Sequence, residues 1–302
     1  MCSRFPFASS SLTHLDSHHH WTVLSARDLG NTLEAAVIAR DLPGMADVDG
    51  SLWAFCRQVS SDVKVAISGE CADEIFGGYP WFRDPEIRDR HGFPWAQNTA
   101  IRTKLMHPAY REKIDAAEYI NGCYQDSVSR CDILPENSAE EKRMKQIVNL
   151  NFTWFMQTLL DRQERMSTAN GLEVRVPFCD YRIAEYMYAV PWDFKDYRGY
   201  EKGLLRYAMR GVIPDAVLFR KKSPFPKTYD PLYLQIVKDR YQDMLEDKYA
   251  PIYNIMDRHS LRELIHQDFT WPWYGQLMQL PQTLAYMLQV NFWLKHYKVN
   301  IV

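Results

Sequence analysis

Apolar positions recur near the helical period over most of this chain, and they alternate in few places. Leu33, Ala36, Val37 and Arg40 share one helical face, so the spacing predicts a helix over 29–40. Pro43 and Gly44 stop it. A second helix is expected over 51–59. Val63, Val65 and Ile67 alternate with Lys64 and Ala66, a strand pattern. That strand is expected to be parallel, buried on both faces, and open along one flank of its sheet. A short strand is also expected at 21–24. Past about residue 100 strand signals vanish. Val148, Phe152, Phe155 and Leu159 recur at steps of four, three and four, the buried stripe of one long helix over 139–166. Leu205, Ala208, Met209 and Val212 mark another helix, and Leu284, Met287, Leu288 and Phe292 a late one. Residues 1–20 are rich in Ser and His and read as irregular. Trp271, Pro272 and Trp273 suggest a rigid loop or packing corner. The expected class is α/β: a partial doubly wound parallel sheet, followed by a mostly helical region packed on it.

Composition narrows the class. With 302 residues, 46% hydrophobic and 25% charged, the chain has the balance of a globular protein with a sizeable core. Lys and Arg number 36 against 38 Asp and Glu, a net charge of −2. Nucleic acid is therefore not an expected partner, and nucleotide phosphates would need a local site. No apolar run reaches the roughly 18–20 residues of a membrane span, so no membrane partner is expected. The start, Met1 to Pro6, lacks the apolar core of a secretory signal. Six scattered cysteines without a Cys-x-x-Cys pair fit reduced thiols in a cytoplasmic protein. His18, His19 and His20 cannot all face one ion from an extended chain, so they make a poor metal site.

The most informative stretch comes directly after the alternating strand: Ser68-Gly69-Glu70-Cys71-Ala72-Asp73-Glu74-Ile75-Phe76-Gly77-Gly78-Tyr79. A strand, a Ser-Gly turn and a short helix form a layout suited to an anion or nucleotide. Gly69 lets backbone approach a ligand. Glu70, Asp73 and Glu74 are spaced to share one helix face, where they repel each other unless a cation or a base role justifies them. Mg²⁺ on one or two carboxylates plus phosphate oxygens would do so. A solvated acidic helix start is the plain alternative.

Two further stretches carry charge. Asp161 to Ser167 runs into Gly171-Leu172-Glu173-Val174-Arg175-Val176-Pro177-Phe178-Cys179-Asp180. Arg162 and Arg165 are expected in a last helical turn, suited to the helix dipole, or Arg162 faces a nucleotide or carboxylate substrate. Glu173 and Arg175 read as a structural ion pair in an extended piece. Then come Glu201-Lys202-Gly203-Leu204-Leu205-Arg206 and Arg220-Lys221-Lys222-Ser223-Pro224-Phe225. Lys202 and Arg206 have helical i, i+4 spacing. Lys222 is either a surface charge or a cation for phosphate or a developing oxyanion.

In this order the four stretches resemble the synthetase domain of glutamine-dependent asparagine synthetases, with residues 18–49 similar to the segment ahead of the first motif. The match is good over about 18–230 and looser beyond. The resemblance implies an adenine nucleotide α-hydrolase-like sheet and a ligase that joins aspartate to ATP as β-aspartyl-AMP, releasing pyrophosphate. Ammonia, from a glutaminase domain outside this chain, would then displace AMP. It implies ATP and Mg²⁺ as cofactors. Ser68, Gly69 and Lys202 would contact the nucleotide, Asp73 would hold the metal, and Glu70, Arg162 and Lys222 would be catalytic, Glu70 as base for the amine.

Departures from the pattern matter as well. Met1-Cys2 looks like a glutaminase start, but the residues after Cys2 do not resemble that domain. The family's Ser-Gly-Gly-x-Asp-Ser pyrophosphate loop is not found ahead of His18, and Ala46-Asp47 stand where many members carry arginine. Residues 1–20 are therefore expected as an irregular segment and 21–302 as a partial synthetase domain, weak or inactive alone. Its expected partner is an upstream half or a second copy. A non-catalytic remnant and a β-lactam synthetase-like amide ligase are the alternatives.

Overall fold

A computed structural model of the chain describes residues 17–96, 99–222, 228, 230–267 and 278–301. Residues 271–273 and Cys2 lie outside the described part. Helix α1 (Ala26–Asn31) starts at a capping box: Ser25 Oγ accepts from the Asp28 amide at 3.1 Å, and the Asp28 carboxylate accepts from the Ser25 amide at 3.2 Å. Helix α2 (Leu33–Arg40) begins after Thr32, whose hydroxyl donates to the Leu29 carbonyl at 2.7 Å. The single helix expected over 29–40 is thus two, because Thr32 diverts a carbonyl of the helical ladder. Helix α3 (Asp47–Val59) begins earlier than expected.

Strand β1 (Val65–Ile67) leads to helix α4 (Ala72–Phe76). Helices α5 (Ala116–Ser129) and α6 (Ala139–Leu150) come next. The expected long helix is broken in geometry though not in direction: a π-helical segment, Asn151–Met156, separates α6 from helix α7 (Gln157–Thr168). The π segment is only six residues, little more than one turn, so the α-like steps of four, three and four run through it and the sequence pattern does not reveal it. Strand β2 (Glu173–Arg175), helices α8 (Tyr181–Ala189) and α9 (Gly203–Ala208), and the long helices α10 (Pro231–Glu246) and α11 (Leu280–His296) complete the frame.

The main core joins the two ends of the described chain. Leu29 and Leu33 are buried against Tyr233, Val237 and Tyr241 of α10 and Leu284 and Leu288 of α11. A smaller core lies under the first motif, where Ile75 and Phe76 pack with Met187, Val176 and Phe178. Two buried carboxylates pin the segment between α2 and α3. Asp49 accepts from Arg40 Nη1 at 3.0 Å and from the Met45 amide at 2.9 Å. Asp47 accepts from the Thr228 amide at 3.2 Å and from Gln282 Nε2 at 3.1 Å.

β1 and β2 pair in parallel, with Val65 opposite Glu173, Ala66 opposite Val174 and Ile67 opposite Arg175. Among the described residues the sheet has only these two strands, so they do not form the expected doubly wound sheet. Nor is β1 buried on both sides. Ala66 and Val174 turn to the covered face, while Ile67 remains 75% exposed and Val65 43%. On that open face Arg175 Nε meets Glu173 Oε1 at 2.8 Å, the ion pair expected from the sequence. Residues 21–24 form no strand, and Val23 is exposed. Cys56, Cys71, Cys123, Cys131 and Cys179 are all free thiols. No helix of the described residues is long and apolar enough to cross a membrane.

Asp49→Ala is expected to cost about 1–3 kcal/mol in urea unfolding, since it leaves the Met45 amide unpaired and Arg40 with Asp161 alone. Asp161→Ala removes the half-exposed second partner of Arg40, at 2.9 Å, and should cost under about 1 kcal/mol. The open sheet face predicts concentration-dependent self-association in gel filtration, suppressed by Ile67→Lys with a stability change within about 0.5 kcal/mol.

Candidate active site

The end of β1 sets the first wall of the site. The Ser68 amide donates to the Arg175 carbonyl at 2.8 Å, and Ser68 Oγ accepts from the Glu70 amide at 3.2 Å. At Gly69 the space is open: an added Cβ would meet nothing within 4 Å. Cys71 then takes a left-handed conformation, φ 70°, and turns the chain into α4. A side chain in that region costs roughly 1–2 kcal/mol, and such strain concentrates at functional sites. Helix α4 closes at Gly77, φ 74°, as the sequence suggests. Gly78 is required for a different reason: a Cβ there would lie 2.0 Å from Asp73 Oδ1.

The three carboxylates of this motif do not share a helix face. Glu70 precedes α4, and each acid has its own partner. Arg162, buried in the middle of α7, donates from Nη2 to Glu70 Oε1 at 3.2 Å. Glu70 Oε2 is buried and has no hydrogen-bond partner among the described residues. Burial pushes the Glu70 carboxyl up from its ordinary pKa, against the pull of Arg162. Asp73 is clamped by two ammoniums, Lys202 Nζ at 2.7 Å from Oδ1 and Lys222 Nζ at 2.8 Å from Oδ2. Burial alone would raise it, but the two lysines together hold it below the usual carboxylate range. Burial lowers Lys222 in turn, with Asp73 opposing. Glu74 is almost wholly buried and accepts from the Tyr79 hydroxyl at 2.5 Å. Burial pushes its pKa up to about 7.

Lys202 is not the helical neighbour of Arg206 that its spacing suggests. It caps α9 in a left-handed conformation, φ 56° and ψ 38°, which turns its side chain toward Asp73. Arg206 lies inside α9, buried. Its Nε donates to the Glu201 carbonyl at 2.5 Å, and its Nη1 to the carbonyls of Leu218 and of Arg220, the latter at 3.1 Å. One guanidinium therefore fixes backbone beside Lys202 and just ahead of Lys222. Lys221 is exposed. Arg165, not Arg162, occupies the last turn of α7. Ser223, Pro224 and Phe225 lie outside the described residues.

The structure thus brings Ser68, Gly69, Glu70, Asp73, Arg162, Lys202 and Lys222 into one region. Sequence reasoning grouped Glu74 with Glu70 and Asp73 as a cation or base cluster, gave no role to Tyr79, and missed the carbonyl cradle of Arg206. The only sequence signal for Tyr79 is its place directly after the Gly pair. A cavity of about 160 Å³ adjoins the site and shares Met45 with it, whose sulfur lies 3.6 Å from Arg162 Nη1. Among the described residues no group of three or more His, Cys, Asp or Glu could hold a metal ion. Asp73 alone would give Mg²⁺ one carboxylate, the rest of its shell coming from phosphate oxygens and water.

The region thus holds an open turn, a buried acid with an unmatched acceptor oxygen, and two ammoniums converging on one carboxylate. Residues 4–295 match the family described as asparagine synthase. The chain belongs to that family. It is 43% identical over 286 residues to the glutamine-hydrolyzing asparagine synthetase 3 of Bacillus subtilis (strain 168), covering 94% of this chain and 46% of that protein. Asparagine synthetase 1 of the same organism is 27% identical over 68% of this chain and 37% of its own length. The Gallus gallus asparagine synthetase is 28% identical over 51% of this chain and 29% of its own. The chain thus spans less than half the length of each of these relatives.

The raised Glu74 gives a sign-determined test. Its unfolded carboxyl loses its proton near pH 4.5 and its folded one near 7, so the folded state binds more protons between them. Stability therefore falls as pH rises through that window. Glu74→Gln keeps the acceptor for Tyr79 and removes the titration. Its stability relative to wild type should rise by up to about 3 kcal/mol from pH 4.5 to 7.5, read by urea unfolding at each pH.

Proposed function

We propose that this chain carries the amide-forming site of an ATP-dependent ligase that converts aspartate to asparagine. It acts as the synthetase part of a larger enzyme, with residues 21–302 as a partial synthetase domain. Aspartate and ammonia are the substrates in this reading, with ammonia released from glutamine by a glutaminase domain outside the given sequence. The family match supports the reaction class, and the relatives' glutamine-hydrolyzing names support the nitrogen source.

The observation that carries the reading is the convergence of Glu70 with Arg162 and of Asp73 with Lys202 and Lys222 at the end of β1. In the first step the aspartate side-chain carboxylate attacks the α-phosphorus of ATP, and pyrophosphate leaves. Charge then grows on phosphate oxygens, where Lys202 and Lys222 supply positive charge. Ser68 and Gly69 offer an open turn for the nucleotide, and Asp73 would hold a Mg²⁺ bound to its phosphates. In the second step ammonia attacks the acyl carbon, gives a proton to a base, and AMP departs. Glu70 suits that base: its Oε2 is an unmatched buried acceptor, its burial raises its proton affinity, and Arg162 fixes its direction.

The test is aspartate-dependent exchange of labelled pyrophosphate into ATP, without ammonia. It is run on the chain alone and mixed with a separately made polypeptide covering the unmatched part of the Bacillus relative. Exchange is expected in the mixture, with Lys222→Met lowering it about 100- to 1,000-fold, the usual loss of one charge-stabilising donor. Glu70→Gln should spare exchange and abolish ammonia-dependent asparagine formation. Exchange in the mixture that is indifferent to Lys222→Met would sink the assignment.

A further inference from the structure

Tyr79 meets two ionisable groups of the site at once. The Lys222 ammonium lies 3.7 Å from the centroid of its ring, and its hydroxyl donates to Glu74 Oε1 at 2.5 Å. Trp81 stacks on the same ring at 4.3 Å with planes 13° apart. Two groups so close over one plane must occupy its opposite faces, so Lys222 rides on one side and Trp81 backs the other. Phe155, from the π-helical segment, meets both rings edge-on at 5.2 Å. Trp81 is itself buried. The hydroxyl bond to Glu74 and this aromatic backing fix the ring's tilt.

Asp73 alone cannot direct Lys222. It is shared with Lys202, and an ammonium on a four-carbon stem is a point charge without preferred direction. An aromatic face supplies the direction, because its negative quadrupole attracts a cation over the plane. Lys222 is only 19% exposed, so water competes weakly for it. We propose that Tyr79 is a positioning residue for Lys222, its ring holding the ammonium beside Asp73. The role rests on the proposed action of Lys222 on the phosphate charge, whereas the contact itself can be tested without any catalysis.

Lysine labelled with carbon-13 at Cε gives that test by NMR on the full chain, with the Lys222 signal assigned by its loss in Lys222→Arg. A methylene beside an ammonium over a ring face sits in the ring's shielding cone. The Lys222 Cε protons should therefore resonate upfield of the exposed lysines in wild type and in Tyr79→Phe, which keeps the ring. In Tyr79→Leu they should return to the range of exposed lysines, with other lysine signals unmoved. A trifluorinated phenylalanine at 79 keeps the shape and cancels the negative face. It should move the signal the same way even if Tyr79→Leu does not fold. A wild-type Lys222 signal within the exposed range, or one unmoved by both replacements, would overturn the proposal. In the exchange assay Tyr79→Leu should lower kcat about three- to thirtyfold at nearly constant KM for ATP, with Tyr79→Phe restoring most of it. Exchange indifferent to Lys222→Met, with the shift intact, removes the reading of Lys222 as catalytic and leaves the contact standing.

Discussion

A carboxylate can leave water only if positive charge or hydrogen-bond donors come with it. Asp73 meets that condition with two lysines that lie far along the chain, and the site is built around that requirement. Lys202 reaches it because the backbone turns left-handed just ahead of α9. Lys222 reaches it because Arg206 holds the carbonyls of Leu218 and Arg220 before it. Gly78 leaves Asp73 the room to lie back against its own turn. Three segments without local attraction for one another are thereby drawn to the end of a three-residue strand. The ion cluster acts as the local fold's organising contact as well as its chemistry.

The division of labour among the acids comes from their partners. Three carboxylates within five residues would repel if all were charged and exposed. Here one is held ionised by two ammoniums and one is poised by a single buried guanidinium. The third is pushed by burial toward the neutral form, with a phenol as donor. Environment rather than residue type sets three different behaviours, the general logic of paired acids in active sites. The left-handed conformation at Cys71 is the backbone's share of that separation, since it swings Glu70 away from the axis that carries Asp73 and Glu74.

Local features of this chain were legible in its sequence, and distant ones were not. The turn at Ser68, the helix after it and its closure at Gly77 depend on residues within a dozen positions of each other. So does the Glu173–Arg175 pair, which alternation alone places side by side. The family resemblance placed Glu70, Arg162, Asp73, Lys202 and Lys222 in one site, and the structure brings them together. Spacing misled wherever two conformations share it. Lys202 and Arg206 look like neighbours on a helix but are divided by a cap. The apolar stripe through Phe152 and Phe155 keeps α-like steps across a π segment of little more than one turn. Alternation at Val63, Val65 and Ile67 identified a strand but not how many faces would be covered, because that depends on which helices pack there. The contact of Tyr79 with Lys222 joins residues with no sequence signal between them.

The π-helical segment has a consequence for how this protein tolerates length changes. An α-helix turns about 100° per residue, so an inserted or deleted residue rotates everything beyond it by that angle. The six residues Asn151–Met156 put α6 and α7 out of ordinary phase. This lets Met144, Ile147 and Val148 face the aromatic cluster while Arg162 and Met166 face the site and its surroundings. A π turn holds one residue more than an α turn, so deleting one residue in this segment would heal the rod to a uniform α-helix and leave the Arg162 guanidinium facing Glu70. Surface loops accept such indels freely, and within this rod the wide turn is the place where a residue can be lost without rotating one face against the other.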